Sequence, residues 1–152
     1  LFEKIFEQKI RMLISNIFSI DREGGTFEEK LRRKIEAHFE ILKKNPKIPF
    51  LVINEITTNP ERIASLRDSI GELPLSVYAT FEQDLQKEIA QGRVRETNAL
   101  DLMFSALSLN LATFLVRPVL QNILGLTDEA MDGFLEHRKE ENVKIILQSL
   151  KP

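Results

Sequence analysis

Apolar residues at Phe2, Ile5, Phe6, Ile10, Leu13, Ile17 and Ile20 recur at three-to-four spacing, which lines them along one face of a helix. The run breaks over residues 21–25, where Gly24 and Gly25 interrupt it. Thr26 then stands three residues before Glu29, a capping box that satisfies free N–H groups at the start of a second helix. That helix runs to about Leu42 with Phe27, Leu31, Ile35, Phe39 and Leu42 inward. Lys30, Arg32, Arg33, Lys34 and Glu36 are assigned to its solvated face.

Asn45-Pro46 and Pro49 stop this helix, and Pro49 opens a short third one carrying Phe50, Leu51, Ile53 and Ile56, because proline fits a first helical turn. Asn59-Pro60 repeats the device for a fourth helix with Ile63, Leu66 and Ile70, ended near Gly71. A fifth, over residues 75–91, places Val77, Tyr78, Phe81, Leu85 and Ile89 on one side and closes at Gly92. After a polar turn over 92–97, Asn98 with Asp101 caps a long sixth helix over residues 98–124. Thr127, Asp128 and Glu129 cap a seventh that runs to about Leu150. Nothing reads as a strand, a repeat or a flexible linker. The expected fold is one all-α domain over residues 1–152, a helical bundle of about seven helices, the last two forming the four-helix bundle of a dimer.

The sixth helix motivates the dimer, because it is too apolar all round to face water. Leu100, Phe104, Leu107, Leu111, Phe114 and Pro118 follow alternating steps of four and three along one side. Leu102, Ala106, Leu109, Thr113, Val116 and Leu120 follow the same steps on roughly the opposite side, since each residue turns by about 100°. The bulkier seam is expected to face the chain's own core. The seam with small Ala106 and Thr113 is expected to let a second copy approach. The last helix joins this interface through Met131, Phe134, Leu135, Ile145 and Ile146, with Arg138 and Asn142 as polar residues that set register. The alternative is a central helix wrapped by neighbours within one chain.

Composition narrows the function. The 152 residues suffice to bury roughly two thirds of the surface of the unfolded chain. With no cysteine, disulfides, thiolate zinc sites and cysteine nucleophiles are excluded, which fits a cytoplasmic location. A formal net charge of -2 gives no general attraction to nucleic acid or anionic membrane. The longest uncharged stretch, residues 102–116, is short of the ~20 residues that span a bilayer, so no membrane partner is expected.

The order of elements resembles the C-terminal ligand-binding and dimerisation domain of TetR-family bacterial transcriptional regulators. Leu1-Phe2-Glu3-Lys4-Ile5-Phe6 is similar to the connecting helix after the DNA-binding head. The stretch Ile48-Pro49-Phe50-Leu51-Val52-Ile53-Asn54-Glu55 is similar to the family's short middle helix, and residues 98–124 with 127–150 resemble its dimer-forming pair. The helix-turn-helix head, which is the family's specific signature, is missing from this chain and is expected upstream of residue 1. The resemblance implies a homodimer that reads operator DNA through that missing domain, with recognition helices roughly 34 Å apart. It implies a repressor in which a small effector among the helices shifts the first helix and changes DNA affinity. The rival is a helical dimeric adaptor or scaffold that binds a protein.

A pocket in such a domain would lie among the first, second, third, fifth and sixth helices. Its candidate lining is Phe39, Phe50, Asn54, Tyr78, Phe81, Phe104 and Asn110, and ten Phe with no Trp suggest an apolar ligand. Asn54 and Asn110 could each orient a polar group of that ligand, though Asn110 serves equally as an intersubunit hydrogen bond. His38 has no carboxylate at catalytic spacing, and reads as a packed or exposed residue. His137 and Glu141, four apart, could share a metal, but no second cluster completes a site. There is no Glu-x-x-His pair, phosphate loop, nucleophile elbow or His-Glu-x-x-His. No catalytic residue, metal or cofactor is expected, and the chain is read as a sensor that performs no chemistry.

Overall fold

The computed structural model describes residues 2–19, 24–71 and 73–152, and among them eight helices and no strand. They are α1 (Phe2–Ser19), α2 (Phe27–Lys44), α3 (Ile48–Thr58), α4 (Pro60–Ile70), α5 (Leu73–Ala90), α6 (Ala99–Leu115), α7 (Arg117–Asn122) and α8 (Asp128–Ser149). Ile20 and most of the turn expected over 21–25 lie outside the described residues. So do the side chains of Phe2, Ile17, Leu66 and Ile70, expected on inward faces.

The capping chemistry read from the sequence is present. Thr26 accepts a hydrogen bond from the Glu29 backbone N–H while the Glu29 carboxylate accepts from the Thr26 N–H, so α2 starts on a closed capping box. Thr127 caps α8 by accepting from the Ala130 N–H. At α6 the Asn98 side chain accepts from the Asp101 N–H. Asp101, one carbon shorter than Glu, accepts the Asn98 side-chain amide instead of reaching the backbone.

The long helix expected over 98–124 is two helices. Pro118 has no N–H to give the carbonyl one turn back, and the α-helix stops at Leu115, with short α7 following from Arg117. By length and composition the stretch Ala99–Asn122 is apolar enough to cross a membrane. Its inner side, however, carries buried Asn110 and Thr113 and packs against α2 and α8 as a central core helix does.

Helices α2, α6 and α8 pack mutually at the centre. Helix α1 lies on α2, α5 against both α2 and α6, and α3 with α4 against α6 and α1. Lys43 donates to Glu136 at 2.7 Å and Lys139 to Glu40 at 2.9 Å, tying the outer edges of α2 and α8. The core divides into two clusters along the α2–α6–α8 axis. Leu31, Ile35, Phe81, Leu85, Leu102, Ala106, Val143 and Ile146 belong to one. Phe39, Leu42, Ile48, Phe114, Met131 and Leu135 belong to the other.

The two sides of α6 are exchanged relative to expectation. Leu102, Ala106 and Thr113, assigned to a second copy, are buried in the chain's own core. Leu100 at 65 % exposed and Phe104 at 72 %, assigned to the core, face outward, Leu107 is 41 % exposed at the edge of a cavity, and only Phe114 of that seam is fully buried. Asn110 decides the orientation. It lies four residues after Ala106 and eight after Leu102, hence on their side, and an amide turned inward has to meet partners. Small Ala106 lets α2 and α8 come close enough to provide them.

Candidate functional site

Four helices meet around a cavity of about 230 Å³. Helix α2 contributes Leu31, Lys34, Ile35 and His38, whose spacing of three, four and seven residues sets them on one face. Helix α5 contributes Val77 and Phe81, one turn apart. Helix α6 contributes Leu102, Met103, Ala106, Leu107 and Asn110, and α1 contributes Leu13. The lining is apolar apart from Lys34, His38 and Asn110. Lys34 is half-buried, with its ammonium 5.1 Å from the centre of the Phe81 ring, a cation–π arrangement, rather than part of the solvated face to which the sequence pattern assigns it.

The polar floor belongs to a chain of hydrogen bonds through three helices. Arg138 Nε donates to Asn142 Oδ1 at 2.6 Å, and Asn142 Nδ2 donates to Asn110 Oδ1 at 2.9 Å and, more weakly, to Thr113 Oγ1 at 3.4 Å. Asn110 Nδ2 then donates to the Ile35 carbonyl and meets His38 Nδ1, both at 3.0 Å. Thr113 passes its own proton to the Leu109 carbonyl at 2.8 Å.

Both ends of this chain leave no choice of direction, because a guanidinium can only donate and a carbonyl can only accept. Arg138 therefore fixes Asn142, Asn142 fixes Asn110, and Asn110 presents N–H to His38 Nδ1. That nitrogen must accept. Burial pushes the His38 imidazole down to about 4 from an ordinary value of 6.5, so the ring is neutral at pH 7, and its one proton sits on Nε2.

Of the seven residues expected to line a pocket, Phe81 and Asn110 line this cavity. Phe39 is wholly buried in the other cluster, its ring 4.9 Å from that of Phe114. Phe50 and Asn54 lie exposed on α3, which adds no lining residue, and the Asn54 carbonyl accepts from Thr57 and Thr58. Tyr78 is exposed on α5, and Phe104 points away from the cavity on α6. The expectation for these five is corrected for one reason. They stand on the wrong side of their helix, or, for Phe39, in a part of the core that is filled.

His38, an ordinary packed or exposed residue by its sequence surroundings, is the ring at the floor. A signal is present in the spacing, since His38 lies three residues after Ile35 and seven after Leu31, on the inward face of α2.

The chain matches no family model and no curated protein.

The interface candidates separate into two groups. Leu102, Ala106, Thr113, Met131, Leu135 and Asn142 are buried within the chain, so the expectation that they face a second copy is corrected. Asn142, expected to set register between two chains, bonds instead to Asn110 of its own. Leu109, Leu120, Phe134 and Arg138 are half-buried, while Val116 and Ile145 are exposed. Turning about 100° per residue brings Leu109 and Val116 to the flank of α6 nearest α8, and Phe134, Arg138 and Ile145 to one flank of α8.

Proposed function

We propose that this chain is the effector-sensing and dimerisation domain of a TetR-like transcriptional regulator, a repressor that works in the cytoplasm and performs no chemistry. The observation that carries the reading is the apolar cavity between α1, α2, α5 and α6 with a hydrogen-bonded His38–Asn110 pair as its floor. Pockets for small molecules take this form, a mostly apolar wall with a few placed polar groups. A cavity of roughly 150 Å³ with an apolar wall accommodates benzene in another protein, so this one has room for a larger ring system or a short chain. Leu13 of α1 stands in its wall, so a bound molecule would bear on the helix that the family resemblance connects to a DNA-binding head. A ligand that fits one placement of α1 better than another shifts the balance between them, and with it the spacing of two recognition helices.

In this reading the second copy seats on the flank shared by α6 and α8, where Leu109, Val116, Phe134 and Ile145 keep accessible apolar surface. Two experiments test it. Sedimentation should give a dimer that Ile145→Glu dissociates without loss of helicity, and a monomeric wild type would contradict the reading. The coding sequence ahead of Leu1 should supply a basic helix-turn-helix, and a start codon directly before Leu1 would remove the regulator from consideration.

The outward side of α6 favours a second reading, a helical dimeric adaptor that binds a protein. Leu100 and Phe104 present exposed apolar surface there that the cavity reading does not use. Phe104→Ser would abolish partner binding under the adaptor reading and leave effector binding intact under the sensor reading.

A further inference from the structure

The geometry points to an uncharged, largely apolar ligand carrying a single hydrogen-bond acceptor, a carbonyl or ether oxygen, anchored by the Nε2–H of His38. This rests on the reading of the cavity as a ligand site and adds the chemistry of the molecule it selects.

The floor has one group left to offer. Asn110 has two amide hydrogens and one carbonyl oxygen, and all are engaged, by Ile35, His38 and Asn142. Its carbonyl oxygen keeps a second lone pair, but the residue has no accessible surface, so Asn110 acts as a positioning residue that fixes the imidazole tautomer. His38 is 6 % exposed, lines the cavity, and has only Nδ1 engaged by Asn110. Its Nε2–H is a donor without a partner among the described residues. The site therefore offers one donor and no accessible acceptor from these two side chains, which favours a molecule that accepts over one that donates.

Charge is decided by the surroundings. The wall is apolar and the imidazole at the floor is neutral, so a carboxylate seated there would lose its hydration and gain one neutral hydrogen bond. The Lys34 ammonium is already placed over the Phe81 ring. A neutral carbonyl loses far less hydration and gains the same bond.

Three probes of nearly equal size separate the possibilities: benzylacetone, a ketone; butylbenzene, with no acceptor; and hydrocinnamate, an anion. Calorimetry at pH 7 should give benzylacetone roughly three- to ten-fold tighter binding than butylbenzene, with hydrocinnamate weakest. The His38→Leu variant should bind the ketone and the hydrocarbon alike. His38→Gln should keep the preference, because a Gln carbonyl can take the Asn110 proton while its amide donates to the ligand. That variant also keeps the inference open to test if His38→Leu does not fold.

Equal binding of ketone and hydrocarbon by wild type would overturn the inference and leave the cavity as a ligand site. Tightest binding by hydrocinnamate would overturn it in favour of Lys34 as the anchor of an anion. Failure of all three to bind would remove both this inference and the reading beneath it.

Discussion

The two clusters of the core share α2, α6 and α8, yet one is filled and the other is hollow. Around Phe39 the rings of Phe39 and Phe114 meet at 4.9 Å, and Leu42, Met131 and Leu135 close the space around them. Further along the same helices, the α6 positions facing α2 are Ala106 and Asn110, and about 230 Å³ stays open. Native interiors are packed to crystal-like density, so a hollow of this size is out of keeping with the rest of the core. Filling one end with aromatic rings gives the bundle stability. At the other end a short aliphatic residue and an amide tied into hydrogen bonds leave a space unfilled, and the hydrogen-bond chain from Arg138 to His38 keeps its floor in place.

The sharpest way to break this contrast is to remove a ring from the filled end. Phe114→Ala should cost about 3–5 kcal/mol in a denaturant titration, because its site is closed on all sides and cannot relax. A loss under ~1 kcal/mol would mean that this end is not packed as described.

Acid should act next, and at the hollow end. The folded value of His38 lies below its unfolded one, so between about 4 and 6.5 the unfolded chain binds more protons than the native chain. Stability contributed by neutral His38 is therefore fully present above 6.5 and declines as pH falls through that window, by about 3 kcal/mol in all. Thermal unfolding of wild type and His38→Gln at pH 7 and pH 5 isolates this contribution. The variant should lose less stability on acidification than wild type, and equal losses would show that His38 is not held neutral by burial.

Smaller again is the effect of cutting the chain of hydrogen bonds. Asn142→Ala leaves the Asn110 carbonyl oxygen without its donor, at a cost of roughly 1–3 kcal/mol. It should also weaken benzylacetone binding by freeing Asn110 to turn over. Unchanged stability and unchanged binding would show that the amide network does not hold the floor.

The mildest change is Ala106→Val, which places two methyl groups beside the cavity. In a filled core such an addition costs about 1–3 kcal/mol, whereas here it should cost under ~1 kcal/mol and reduce probe binding. A cost as large as that of Phe114→Ala would erase the distinction between the two ends.

Much of the helix order is legible in the sequence because its signals are local. The Thr26–Glu29 box and the Thr127 cap each need only residues within one turn. Pro118 is equally visible, but the spacing sets it on an apolar seam instead of at the break it makes between α6 and α7. The sides of α6 are not legible from hydrophobicity, since Leu100, Phe104 and Leu107 are at least as apolar as Leu102, Ala106 and Leu109. What selects the inner side is the meeting of Asn110 with Asn142, Ile35 and His38, and these lie far apart in sequence. Asn110 stands out as an amide between Leu109 and Leu111, and Asn142 as a polar residue interrupting the apolar stripe of α8. Their pairing, which gives both a role, depends on the tertiary packing of α6 on α8.

Both the hollow end and its selectivity depend on one proton. The chain has two histidines, and His137 is exposed on α8, so a nitrogen-15 spectrum of the imidazole rings at pH 7 resolves His38 directly. The hydrogen-bond chain predicts a neutral ring with the proton on Nε2 and a hydrogen-bonded, unprotonated Nδ1, with the Nε2–H signal moving when benzylacetone is added. A proton on Nδ1, or a ring that titrates at the ordinary value, would contradict it.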